Sequence, residues 1–286
     1  MGKSGYKAYV GDVNKGVVSG QGTLYNKTGN IVYEGAFEAN AYNGTGKQYY
    51  ENTNLRYEGE FKDNLFQGEG NLYTENGTIK YIGAFHHGKM DGKGQLYNEG
   101  GNKIYTGTFQ QDRILYTEML GKETNEVSQM YTGERKIYQT QEKSCVIMNE
   151  IGAAYCAQSG ENSLDEEWKV TGVYVFSDNI YINGHLVENI SDAIELLGKP
   201  EYEGNTAVSA EDAVIVNAIC DLQKTNQILF GKVKMETNQI LDEVVEVEKY
   251  DQNYLVYIYR FQEEDRVYTF FCREKNEGFD FYLLEE

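Results

Sequence analysis

The side chains best suited to acid–base or nucleophilic chemistry are those of the three histidines and of one of the four cysteines, Cys156. His86 and His87 are adjacent at an expected hairpin tip, where a solvated pair is favoured over a metal site. Cys156 with His185 is the only conceivable nucleophile–base pair, and nothing in the surrounding sequence supports it. The sequence motifs of serine hydrolases, zinc proteases, dinucleotide-binding enzymes and kinases are absent. We therefore expect no enzyme, with no catalytic residue, cofactor or metal site.

Two acidic clusters, at residues 165–167 and 263–265, are the other candidates for cation binding. Neither has the alternating ligand spacing or the sharp glycine turn of a calcium loop. Both clusters are therefore predicted to be solvated hairpin tips or loops.

Negative charge is concentrated in the second half of the 286-residue chain. Residues 1–130 carry 13 basic and 15 acidic side chains, whereas residues 131–286 carry 13 and 30, a net charge of −17. Such a surface repels phosphate backbones and anionic lipid headgroups, which disfavours nucleic-acid binding and direct docking on a membrane. Two interpretations remain: the charge keeps the domain soluble, or it recognises a cationic protein partner.

All four cysteines lie in the second half, beside apolar residues and without zinc-site spacing. Buried free thiols are the favoured interpretation, and Cys145–Cys156 is the simplest disulfide if one forms. The sequence has neither an apolar run of about 18 residues nor a signal-peptide core. As given, it predicts a soluble protein, cytoplasmic or, if a native anchor precedes it, membrane-associated.

The first 120 residues follow a pattern that restarts every 24 residues. Each unit opens with Tyr-x-Gly-x-Phe, which predicts a strand with one aromatic face, and continues with Gly-x-Gly, a return strand whose bare positions can accept a ring. One slot between the two strands holds residue types that tolerate positive φ at a hairpin tip. Its occupants are Gly16, Asn40, Asn64, Gly88 and Asp112. Each unit is therefore predicted to be one β-hairpin.

Residues Tyr57–Phe61 and Gly68–Tyr73 resemble the two halves of the MORN repeat (membrane occupation and recognition nexus). The resemblance implies an elongated antiparallel array of about five hairpins over residues 1–122, which binds protein partners and, in some family members, associates with membranes. Departures occur at Val13, at Gln48 and in the fifth unit, whose paired glycines are missing, as expected of an end cap. The candidate interaction surface is the periodic aromatic set. It comprises Tyr33, Phe37, Tyr57, Phe61, Tyr81, Phe85, Tyr105 and Phe109.

Residues 130–286 predict an acidic α+β domain, so that the whole chain is mainly β. Two helices, 192–197 capped by Ser191 and 209–227, are expected to pack on an antiparallel meander sheet. Asn183-Gly184 between alternating apolar runs predicts a hairpin. Residues 121–129 are interpreted as a linker or end loop, and Tyr131–Glu134 as a first strand or a relic of the repeat.

Three functions remain open on this sequence. The leading hypothesis is a non-catalytic scaffold that binds protein partners through the array and through the acidic domain. The first alternative is an inhibitor or immunity-type protein that blocks a basic toxin or enzyme, since residues 192–200 are faintly similar to helix–sheet modules of small bacterial lipoproteins and β-lactamase inhibitors. The second alternative is an unrecognised enzyme with its pocket in the second domain.

Overall fold

A computed structural model describes residues 8–139, 143–158, 168–176, 180–208, 236–237, 244–246, 254–272, 275 and 278–286. The chain divides into two compact units, Met1–Leu115 and Tyr116–Glu286. Each unit is built on a ten-stranded sheet, which confirms that the fold is mainly β.

The first unit is one antiparallel sheet in which every strand pairs with the next strand in the chain. Its strands are β1 Tyr9–Asn14, β2 Val17–Tyr25, β3 Ile31–Glu38, β4 Ala41–Tyr49, β5 Leu55–Lys62, β6 Leu65–Tyr73, β7 Ile79–His86, β8 Lys89–Tyr97, β9 Lys103–Gln110 and β10 Arg113–Ile114. The predicted hairpin array is thereby confirmed. Its fifth hairpin is truncated, because β10 has only two residues.

Glycine faces glycine at the centre of the strand pairs of this sheet. The register aligns Gly22 with Gly35, Gly35 with Gly46, and so on to Gly94 with Gly107. A Cβ added at Gly46 or Gly70 would overlap the phenol of the tyrosine that opens the same unit. Each of these rings therefore lies over backbone that has no side chain, as the spacing predicted.

The hairpin tips connect each unit to the preceding one. Asn64 has φ +70°, and its Oδ1 accepts a hydrogen bond of 2.9 Å from the backbone N–H of Tyr42. In the same way, Asp112 has φ +72°, and its Oδ1 accepts a hydrogen bond of 2.8 Å from the backbone N–H of Met90. The residues that the turn requires for its backbone conformation thus also join neighbouring hairpins.

The second unit has two helices among its described residues, α1 Thr124–Met130 and α2 Ile190–Leu197. Its strands are β11 Arg135–Gln139, β12 Lys143–Met148, β13 Ala153–Gln158, β14 Val170–Val175, β15 Ile180–Ile182, β16 His185–Val187, β17 Tyr202–Val208, β18 Glu236–Thr237, β19 Val244–Glu246, β20 Tyr254–Glu263, β21 Arg266–Cys272 and β22 Phe279–Glu285. The large sheet has the order β17-β20-β21-β22-β14-β13-β12-β11-β19-β18, and β15 and β16 form a separate hairpin at Asn183-Gly184, as predicted.

Several local predictions for this unit need correction. Residues 121–129 are not simply a loop, because α1 forms there and buries Val127 completely. The cap of α2 is Asn189 rather than Ser191, since Asn189 and Asp192 exchange side-chain to backbone hydrogen bonds in a capping box. The sheet is not purely antiparallel, because β11 and β19 pair in parallel. The predicted helix 209–227 lies outside the described residues.

Tyr131–Glu134 precedes β11 and keeps the local geometry of a repeat start. The Tyr131 hydroxyl donates to the carbonyl of Glu134 at 2.6 Å, just as the Tyr57 hydroxyl donates to Glu60 at 3.1 Å. A Cβ at Gly133 would lie 2.6 Å from the Tyr131 hydroxyl, so this ring also covers a glycine.

Two of the four cysteines are joined, which corrects the expectation of free thiols. Cys145 on β12 and Cys156 on β13 face each other in register and form a disulfide. The antiparallel pairing that brings them together could not be read from their separation of 11 residues. Cys272 is buried and lies outside this disulfide, and Cys220 lies outside the described residues.

In the part of the chain that the structure describes, no helix has the length and apolar character needed to cross a membrane.

Candidate interaction faces of the array

The eight aromatic residues of the predicted interaction surface lie together, but they lie in the core. None of them is more than 7% exposed, and the four tyrosines are fully buried. Three of the tyrosines, Tyr33, Tyr57 and Tyr81, meet the phenylalanine of the next unit edge to face. The ring centroids are 5.1 Å apart for Tyr33–Phe61, 5.1 Å for Tyr57–Phe85 and 4.9 Å for Tyr81–Phe109.

A third ring in each of two units packs on this core, at a position outside the predicted aromatic set. Tyr42 stacks on Tyr33 with ring centroids 3.7 Å apart, and Phe66 stacks on Tyr57 at 3.8 Å. Met90 is the buried residue at the equivalent position of the fourth unit. Because these side chains cover the tyrosines, a partner would contact the residues around the eight rings rather than the rings themselves.

Burial makes the core tyrosines harder to ionise. Desolvation, and after it the nearby Tyr42, raises the pKa of Tyr33 to about 12, and burial also raises the pKa values of Tyr57 and Tyr81. The hydroxyl of Tyr33 donates to the carbonyl of Ala36 at 2.8 Å, which keeps the neutral form in place.

These shifts predict that the array loses stability in alkaline solution. A tyrosine in the unfolded chain ionises near pH 10, so this contribution to stability is complete below about pH 10 and is lost as the pH rises toward about 12. We expect the urea midpoint to be unchanged between about pH 8 and 9.5 and to fall steeply above about pH 10. Tyrosinate absorbance followed in parallel would contradict this prediction if all tyrosines ionised near pH 10 while the protein stayed folded.

The opposite face of the array carries polar and charged side chains in register. Glu34, Lys47 and Glu58 are aligned on β3, β4 and β5, and Lys47 Nζ lies 3.1 Å from Glu58 Oε1. The hydrogen bond that Lys47 donates to Glu58, the charge of Glu58 and then the charge of Glu34 raise the pKa of Lys47. These residues border a cleft of about 500 Å³, whose lining includes Gly22, Gly35 and Gly46.

A row of half-buried tyrosines lies at the end of the return strands. Its members are Tyr25, Tyr49, Tyr73 and Tyr97. The Tyr49 hydroxyl donates to the Glu34 carboxylate, and that of Tyr97 donates to Gln95 Oε1 at 2.9 Å. Successive members are two strands apart, or roughly 10 Å. We refer to Glu34, Lys47 and Glu58 with Tyr49 and Tyr73 as the open face.

The signal for the open face was present in the sequence. These tyrosines recur every 24 residues, directly after a leucine or glutamine of the return strand. Their period matched that of the core tyrosines, so the sequence could not tell which of the two rows would be covered.

The residues considered for acid–base or metal chemistry are not assembled into a site. His86 and His87 lie at the tip between β7 and β8 with ring centroids 4.2 Å apart, and no metal-binding group of three His, Cys, Asp or Glu occurs among the described residues. Cys156 is in the disulfide and therefore cannot act as a nucleophile. Glu263–Asp265 forms the turn between β20 and β21, as predicted, whereas residues 165–167 lie outside the described part.

The second unit contains a cleft of about 580 Å³ between α1 and β11. Its lining includes Ser128, Tyr131, Glu134, Arg135 and Lys136. The side chains are polar and of mixed charge, and the described lining contains no histidine or cysteine.

Comparisons with known proteins identify a repeat family within the first unit. No curated protein matches the chain. Among solved structures, an extracellular protein containing a SCP domain from Bacillus anthracis str. Ames is similar with a TM-score of 0.34 and 7% identity, over 63% of this chain and 48% of that chain. The match thus spans about half of that protein.

The sequence model of the MORN repeat matches three times, at residues 33–54, 57–79 and 81–103. MORN repeats are in general modules of protein interaction or membrane binding, which supports a repeat-based interaction or scaffold protein. Residues 33–103 of this chain are three consecutive MORN repeats.

Proposed function

We propose that the protein is a non-catalytic scaffold that holds an extended segment of a partner protein on the open face of its MORN array. The observation that carries the proposal is the open face itself. It combines half-buried tyrosines at regular spacing with the charged row Glu34, Lys47 and Glu58 and with a cleft of about 500 Å³.

The chemistry of this face suits a protein ligand. Tyrosine is enriched at protein interfaces because a large apolar ring and a hydrogen-bonding hydroxyl are presented at low entropic cost. Lys47 and Glu58 lie opposite each other on β4 and β5 and are about 40% exposed, at 42% and 41% of their side chains. They remain available to polar groups of the ligand, while glycines leave room for its backbone.

A site-specific photocrosslinking experiment tests this proposal. A photoreactive phenylalanine analogue placed at Tyr49 or Tyr73 should form adducts with a protein in cells that make this chain. The same analogue at Leu65, which is 45% exposed at the tip between β5 and β6, is the control and should form none.

The outcomes separate the possible ligands. Protein adducts at both tyrosine positions would support the scaffold function, whereas lipid adducts would indicate membrane binding by the array. Equal protein adducts at Leu65 would contradict the assignment of the open face.

For the second unit we propose a cationic protein partner, because residues 131–286 carry a net charge of −17. Association steered by this charge should slow steeply as the ionic strength rises, since the Debye length contracts from about 30 Å at 0.01 M to about 8 Å at 0.15 M. Association of the full chain with proteins that it captures through residues 131–286, measured across this salt range, gives the test. A rate that does not depend on salt, or retention of the chain on heparin, would contradict a cationic partner.

A further inference from the structure

The first hairpin exposes more large apolar side chains than the rest of the array, where Leu65 is the one such residue among those described. Seven large apolar side chains are exposed among the described residues, and three of them belong to this hairpin: Val10 at 42%, Val13 at 56% and Val17 at 38%. β1 pairs with β2 on one side, and no described strand pairs with its other side.

Backbone N–H and C=O groups of β1 point away from β2 on that side, where they can form hydrogen bonds with another strand. The Ala8 carbonyl accepts a hydrogen bond from Tyr25 N–H, so Ala8 and Val10 direct their backbone groups toward β2. Because this direction alternates along an antiparallel strand, the N–H and C=O groups of Tyr9 and Gly11 point outward. The strand contains no lysine or proline, the residues with which edge strands commonly block pairing.

The pattern of β1 selects a second copy of the same strand as its partner. Antiparallel pairing centred on Gly11 places Gly11 opposite Gly11 of the second copy and continues the row in which glycine faces glycine across the array. The same register places Tyr9 opposite Val13 of the second copy. Val13 occupies the slot that is Phe37 in the next unit, and Phe37 already contacts Tyr9 at a centroid distance of 5.4 Å.

We propose that two copies of this protein associate through their β1 strands, related by a two-fold axis at Gly11. Each array then extends the sheet of the other, and Val13 of each copy is covered by Tyr9 of its partner. A symmetric interface of this kind is self-complementary, so association closes at a dimer.

Sedimentation velocity of the full 286-residue chain over a range of concentrations tests the proposal. We expect a dimer whose dissociation constant rises at least about tenfold in each of two variants. Val10→Asp places a second carboxylate opposite Asp12 of the second copy, and Val13→Lys replaces the apolar contact with Tyr9 of the second copy by a charged side chain. Leu65→Lys alters an equally exposed apolar residue away from β1 and should leave the dissociation constant unchanged.

Melting curves establish that each variant is folded, and the two variants are independent because Val10 and Val13 are separate exposed sites. A wild-type chain that remains monomeric up to about 100 µM would overturn the proposal. Dimerisation that survives in both β1 variants, or that is lost in Leu65→Lys, would overturn it as well.

Discussion

Replacing Gly59 by valine should destabilise the array by about 3 kcal/mol, the upper end of the cost of overpacking. A Cβ at this position would lie 2.6 Å from the carbonyl oxygen of Glu69, 2.6 Å from the Cα of Gly70 and 2.6 Å from the Tyr57 hydroxyl. Two of these three atoms are backbone of the neighbouring strand. They cannot move aside unless the strands separate.

Val13→Thr is the matched control, because Val13 is 56% exposed in the first hairpin. We expect it to change the free energy of unfolding by less than about 0.5 kcal/mol. Urea denaturation of both variants, followed by far-ultraviolet circular dichroism, measures the difference. Equal midpoints would show that the glycine positions are not needed for ring packing.

Replacing Tyr57 by alanine should cost about 3–5 kcal/mol, the range for removing a buried aromatic side chain. Its ring is fully buried, stacks on Phe66 at 3.8 Å and meets Phe61 and Phe85 edge to face at 5.1 Å each. The substitution therefore removes the contact between the third unit and the fourth as well as contacts within the third.

Tyr57→Phe separates the ring from its hydroxyl. The phenylalanine keeps the packing and loses the hydroxyl's hydrogen bonds to the carbonyls of Glu60 and Gln67, so we expect a loss of about 1 kcal/mol. Thermal and urea denaturation of the two variants provide the comparison. If Tyr57→Phe were as damaging as Tyr57→Ala, the hydroxyl rather than the ring would hold the units together.

Much of the first unit could be predicted because its determinants are local. Positive φ at Asn64 and Asp112 follows from residue types that tolerate it, and the 24-residue period fixes where each strand turns back. The pair of glycines in each complete return strand also showed where rings would lie. Each of these features depends on residues within one hairpin or its immediate neighbour.

The second unit was less predictable because its contacts join distant parts of the chain. Residues 121–129 are polar in sequence, and α1 forms there with Val127 buried in the packing of the unit. Cys145 and Cys156 meet because β12 and β13 pair in one particular register. A shift of that register by one residue would have turned the two side chains to opposite faces.

The sequence by itself determined that the array has two rows of tyrosines, since side chains of a strand alternate between its faces. Only the tertiary structure decided which row is covered. Tyr57 is buried because Phe66 and Phe85 pack on it from the return strand and from the next hairpin, whereas Tyr73 keeps part of its ring exposed. Alternation assigns residues to a face, but burial depends on what packs against that face, and those contacts are made between units.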